Sequence, residues 1–303
     1  MSSASAIAAA AATTERRRRN YARTYMWFVV PAAVAVLGTI LFPWAFTFFI
    51  SAFDWHLGSP REFVGFANYA KLFTDERFGL ALLRTLYYTS LAVVFPLGLG
   101  LAAALIFNQK FPMRGLARTI FILPMMATPV AVALVWTMMF HPQLGVLNWL
   151  LQEIGIPPSM WVYHADSVIP TLVLVEVWHW TPLVMLLLLG GLAALPIDPY
   201  EAAKIDGATP FQTFRYITLP LLAPYLVVAL IIRTIDALKA FDTIYVITGG
   251  GPGSASETIN IYLYLQAFAF YNMGYASAVV VVFFALILTL AALLMWTREK
   301  VRP

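Results

Sequence analysis

The sequence predicts an all-α membrane protein with six transmembrane helices, and three observations carry that prediction. Of 303 residues, 61% are hydrophobic and only 11% charged, for a mean hydropathy of +0.79. A soluble domain of this size cannot bury so much apolar surface and still present a charged exterior. Six apolar stretches of roughly 20 residues or more recur along the chain, each long enough to cross the hydrocarbon core as a helix. Lysine and arginine fall mainly on alternate connections between those stretches.

Residues 1–24 are rich in Ala, Ser and Thr and end near Glu15-Arg16-Arg17-Arg18-Arg19, which reads as a flexible basic cytoplasmic tail. A cleaved export signal is the competing reading, but the apolar segment that follows is too long for one and ends on no small-residue cleavage site. The membrane domain is then 25–303, with spans at 25–50, 80–107, 117–140, 168–195, 221–247 and 275–297. One set of connections carries Lys110, Arg114, Arg118, Lys204 and Arg215, and the C-terminus carries Arg298, Lys300 and Arg302. The connections 141–167 and 248–274 contain no lysine or arginine. Both termini are therefore expected in the cytoplasm. Gly249-Gly-Gly-Pro-Gly253 should end the fifth span, and Glu257–Tyr271 reads as a partly amphipathic surface helix.

The connection 196–220 stands out. Asp198 is placed to cap a short helix beginning at Pro199, and Gly207 to stop it, with Pro210 soon after. Ala202, Ala203 and Ala208 leave a shallow surface, and Phe211 and Phe214 should project from it. Exposed small and aromatic residues in such a loop suit docking onto another protein.

Ionisable side chains inside spans are costly and mark functional candidates. Glu176, His179, Trp180 and Leu183 share one face of span four, and Arg233, Asp236, Ala237 and Ala240 repeat that spacing in span five. A sugar could stack on the aromatic face and hydrogen-bond to the charged groups. The structural alternative pairs Arg233 with Asp236 or with Glu176. Lys239 and Asp242 lie off the shared face and are expected to pair with each other, Trp178 to serve packing, and Met125, Met126, Met138 and Met139 to fill the core.

Glu201-Ala-Ala, Asp206-Gly-Ala and Ile217-Thr-Leu-Pro220 with Pro224 form a run of about 24 positions that resembles the EAA loop of binding-protein-dependent importer permeases. Phe63-Val-Gly-Phe-Ala-Asn-Tyr69, Thr248-Gly-Gly-Gly-Pro252 and Gly274-Tyr-Ala-Ser-Ala278 are similar to its sugar branch, the class of the maltose-type permease subunit. The resemblance implies a type I ABC importer permease fold in a bacterial inner membrane. It implies that Glu201, Ala202, Ala203, Asp206, Gly207, Phe211 and Phe214 contact an ATPase subunit. It further implies a second permease subunit (a related chain, or a second copy of this one), two cytoplasmic ATPase subunits holding ATP and Mg, and an extracytoplasmic solute-binding protein. The same resemblance points to segments 176–183 and 233–240 as cavity walls, for a sugar, polyol or acidic sugar derivative. No cofactor on this chain and no nucleic-acid partner are implied.

An enzyme is disfavoured, because no Walker A run occurs and His56, His141, His164 and His179 lack metal-ligand spacing. An ion-coupled secondary transporter would leave the EAA run unexplained. A membrane scaffold would require the polar stripes to be ion pairs with no cavity.

Overall fold

The computed structural model describes the backbone of residues 3–300 and the side chains of residues 25–296. Helix α1 (Ser3–Ser51) leads into a two-stranded hairpin, β1 (Phe53–Asp54) and β2 (Glu62–Phe63). Helices α2 (Ala67–Thr74) and α3 (Glu76–Asn108) follow, then α4 (Arg114–Met126), α5 (Pro129–Met139), α6 (Val146–Glu153) and α7 (Ala165–Ala193). The chain continues through α8 (Asp198–Ile205), α9 (Pro210–Thr213), α10 (Leu219–Leu238), α11 (Asp242–Thr248), α12 (Ile259–Tyr264) and α13 (Met273–Lys300). The stretch expected as a basic tail forms the beginning of α1, and the side chains of its arginines lie outside the described residues, as do those of Arg298, Lys300 and Arg302.

By length and composition, five described helices can cross a membrane, or six if α4 and α5 count as one bent span. That bend corrects the expected continuous helix over 117–140: α4 and α5 meet at 95°. Pro129 is the cause. It forces Thr128 out of the helical region (φ −71°, ψ 144°), and Ala127 is extended as well. The expected fifth span, 221–247, is likewise two helices, because α10 ends at Leu238 and the chain restarts at Asp242.

Small residues set the centre of the bundle. An added Cβ at Gly100 of α3 would lie 2.6 Å from Val184 Cγ1 of α7, so these helices touch almost backbone to backbone. Ala104, one turn on, is fully buried in the same cluster as Val184, Met185 and Leu188, a small-xxx-small contact between spans. At the end of the bundle carrying the hairpin, the buried Asn68 donates to Ser51 O and Phe53 O, both at 2.9 Å. Ser51 Oγ lies 2.7 Å from the Tyr69 hydroxyl. The Phe63–Tyr69 run is therefore a latch holding α2 against the end of α1.

A second latch was invisible in the sequence. Asp75 caps α3 by accepting from Arg77 N and Phe78 N, while its Oδ2 accepts from the Tyr262 and Tyr275 hydroxyls at 2.5 and 2.7 Å. Beside it Arg77 makes a bidentate pair with the buried Glu257, at 3.0 Å. Burial pushes the Asp75 carboxyl up, but the tyrosine and backbone donors outweigh it and hold its pKa below the ordinary value of 3.8. A carboxylate depressed in the folded state contributes stability above its unfolded pKa, and that contribution is lost as pH falls through the lowered value. Asp75→Asn should therefore lower the thermal midpoint of the purified complex by a constant amount from pH 7 to about 5, with the gap to wild type closing below about pH 4. A gap independent of pH down to 3 would refute this role for Asp75.

Candidate functional site

Two of the eight predicted site residues form a buried ion pair. Arg233 Nη2 donates to Glu176 Oε1 at 2.8 Å and to Ala92 O of α3 at 3.2 Å. The side chains of Arg233 and Glu176 are 0% and 5% exposed. Of the two pairings left open by sequence, this is the one found. Asp236 instead sits 3.8 Å from Lys239, one turn on, in a half-exposed pair. Lys239 therefore pairs with Asp236, and not with Asp242 as the sequence led one to expect.

A cavity of about 260 Å³ opens beside the buried pair, where α10 breaks. Glu176, Trp180, Asp236 and Ala240 line it, together with Pro129, Lys239, Phe241, Asp242 and Thr243. The break explains the newcomers. Once the helix stops at Leu238, residues 239–243 no longer follow its 100° stepping, and Phe241 and Asp242 turn onto the wall rather than off it.

The other four predicted residues lie elsewhere. Arg233 is behind the wall, and Ala237 is packed in the central core. Leu183 is half-buried and off the lining. His179 turns away to Ala127 O, with Nε2 at 3.2 Å, tying span four to the break between α4 and α5.

Trp178 packs edge-on against Trp136, as expected. Of the four methionines only Met139 packs against the core: Met126 and Met138 are 75% and 76% exposed, and Met125 is half-buried. Arg84, inside α3, was overlooked, and its Nη1 is buried with no hydrogen-bond partner among the described residues.

The loop between α7 and α10 has the predicted short-helix, turn, short-helix form, with differences. Asp198 is the first residue of α8 rather than its cap, which is Ile197. Gly207 has φ +73° and ends the helix as expected, with Ala208 N bonding back to Ala203 O at 2.9 Å. Glu201, Ala202, Asp206 and Gly207 are exposed, and Ala203, though mostly buried, lines with Ala202 and Ala208 the expected shallow hollow on this loop. Phe211 projects at 73% exposure, but Phe214 is half-buried against a second, larger cavity of about 730 Å³ between this loop and the ends of α3 and α7. Ile197, Ile205 and Tyr216 are further exposed apolar groups that sequence reasoning passed over.

Helix α9 starts in a capping box between Thr209 and Gln212 and runs into α10 through a π-turn at Phe214–Thr218. Leu219 N reaches back five residues to Phe214 O, which accommodates Pro220, a residue without an N–H. Tyr200 of α8 donates from its hydroxyl to Thr218 Oγ1 at 3.2 Å, so the loop grips the start of a span directly.

Apolar spans around a polar, aromatic-walled cavity, with a helical loop gripping one span, define a membrane permease. The sequence profile of the family described as binding-protein-dependent transport system inner membrane component matches residues 94–302. The chain is 40% identical over 265 residues to the trehalose/maltose transport system permease protein of Thermococcus litoralis, covering 86% of this chain and 88% of that one. It is 37% identical over 267 residues to the sulfoquinovosyl glycerol transport system permease protein of Agrobacterium fabrum, covering 87% and 86%. In fold it matches a chain of a bacterial ABC transporter that imports the acidic polysaccharide alginate, with TM-score 0.82 at 22% identity over 95% of this chain and 100% of that one. The chain belongs to the family of binding-protein-dependent transport system inner membrane components, the permease subunits of ABC importers.

Proposed function

We propose that this permease forms half of the pathway for a sugar, polyol or sugar derivative in a bacterial cytoplasmic membrane, crossing it six times with both termini in the cytoplasm. The carrying observation is the cavity at the break in α10. Trp180 and Phe241 offer ring faces to a sugar's apolar side, and Glu176, Asp236 and Asp242 offer acceptors to its hydroxyls. Supporting it are the named solutes of the relatives, trehalose, maltose and sulfoquinovosyl glycerol. An acidic substituent would meet Lys239 rather than Arg233.

The sorted basic residues support the orientation. A binding protein delivers the solute, a second permease subunit completes the pathway, and two ATPase subunits carrying ATP and Mg drive the cycle through residues 198–218. This chain itself performs no chemistry. The test begins with a thermal-shift screen of the partner binding protein against trehalose, maltose, sulfoquinovosyl glycerol and polyols. Uptake of the sugar so found should fall about tenfold in Trp180→Ala and in Phe241→Ala, the loss expected when about 1.4 kcal/mol of ring contact disappears. Undiminished uptake by both variants would remove the cavity from the pathway.

A further inference from the structure

We infer that Arg233 is a positioning residue, which fixes Glu176 and Trp180 on the cavity wall from behind and touches no part of the solute. The inference rests on the cavity being the solute site, as proposed above. Arg233 is fully buried and absent from the lining, yet three elements of the site converge on its guanidinium. Nη2 binds Glu176 Oε1 and the Ala92 carbonyl of α3, and Cζ stands 5.2 Å from the Trp180 ring centroid. Glu176 and Trp180 both line the cavity. Nη2 alone donates to both the carboxylate and the carbonyl while the guanidinium plane stands beside an indole, and so the group sets the orientation of all three. An ammonium is a point charge and cannot fix that plane.

A plain cross-link between spans is a poorer account of these contacts. Arg233 Nε and Nη1 find no acceptor among the described residues, and the buried hydroxyls of Tyr88 and Thr89 on the same stretch of α3 likewise have no hydrogen-bond partner. Tyr88 stands beside the Glu176 carboxylate at a geometry short of a hydrogen bond. Arg233 and Tyr88 thus both present donors beside one carboxylate. Apolar packing holds helices together at lower cost than an ion pair left in that condition. Polar groups left unsatisfied in an otherwise consistent fold are expected where function requires them. What this pair adds beyond cohesion is the placement of Glu176 and Trp180 towards the cavity.

The test uses the complete transporter, with both permease subunits, the ATPase subunits and the binding protein loaded with radiolabelled trehalose, or with the sugar the screen returns. Rates are expressed per assembled complex. Arg233→Lys keeps the charge and loses the guanidinium plane beside Trp180. Arg233→Gln combined with Glu176→Gln removes both charges and keeps hydrogen-bonding capacity. Positioning predicts that both assemble as wild type does, and that uptake by each falls about tenfold or more. Uptake within about twofold of wild type in either variant overturns the inference, because charge neutralisation alone would then suffice. Failure of Arg233→Lys to assemble also overturns it, since that would make the residue a structural strut. Trp180→Ala and Phe241→Ala run in parallel. If they leave uptake intact, the cavity itself is refuted; if they reduce it while Arg233→Lys does not, only the role of Arg233 falls.

Discussion

Gly274→Ala is expected to remove most of the assembled transporter from the membrane. A Cβ at this position would lie 2.0 Å from Phe53 O and 3.1 Å from Trp55 N, both backbone atoms of the hairpin that caps α1. Gly274 N also donates to Trp55 O at 3.1 Å, so the hairpin cannot retreat without losing that bond. Overpacking against fixed backbone costs about 3 kcal/mol, a large part of the margin by which most proteins stay folded. Fluorescence-detected gel filtration of solubilised membranes should show less than about a tenth of the wild-type complex. Gly100→Ala would press mainly on Val184 Cγ1 and Cβ, with its nearest backbone atom, Met185 N, at 3.1 Å, and should do less harm. Equal abundance of Gly274→Ala and wild type would show that the contact between hairpin and α13 relaxes freely.

Gly207→Pro should separate ATP hydrolysis from transport. At φ +73° the position suits glycine, and proline, confined near −65°, must unwind the end of α8. Solute-stimulated ATPase activity should fall at least about tenfold in the complete complex, while the binding protein holds its solute as before. Gly207→Ala meets no atom within 4 Å and carries only the backbone penalty of about 1–2 kcal/mol, so it should be the milder variant. Glu201→Lys should behave like the proline variant, by reversing charge on the exposed face. Tyr200→Phe, which severs the link to Thr218, should weaken coupling without dissociating the ATPase. Normal stimulation in Gly207→Pro would detach this loop from coupling.

Hydropathy and charge sorting made the spans legible because both are local properties: a run of apolar residues reveals itself whatever it packs against. Whether such a run stays straight depends on dihedral angles at one or two residues. Pro129 was a visible signal for the first break, but an apolar run on either side masked it. The break at Lys239 had no proline to announce it, so the helical face drawn through Ala240 continued past the point where the helix ends. That error left Phe241 and Asp242 out, whereas Ala237, still inside α10, was misplaced because it packs into the core rather than onto the wall. The partner of Arg233 was undetermined for a different reason. Asp236 is near in sequence, whereas Glu176 is near only after two spans pack, and no helical spacing contains that information. The exposed methionines expose the same limit, since an apolar side chain reads alike whether it faces protein, lipid or another subunit.

The right-angle break between α4 and α5 bears on how the chain is made. At 1.5 Å per residue, the 13 residues of α4 reach about 20 Å and the 11 of α5 about 16 Å, so neither half crosses a bilayer of about 30 Å alone. The two can span it only together, bent at 95°, with the carbonyl of Ala127 at the break in need of a donor. That donor, His179, lies 52 residues downstream in a span not yet synthesised. The bend between α4 and α5 therefore gains this hydrogen bond only once α7 has packed against it.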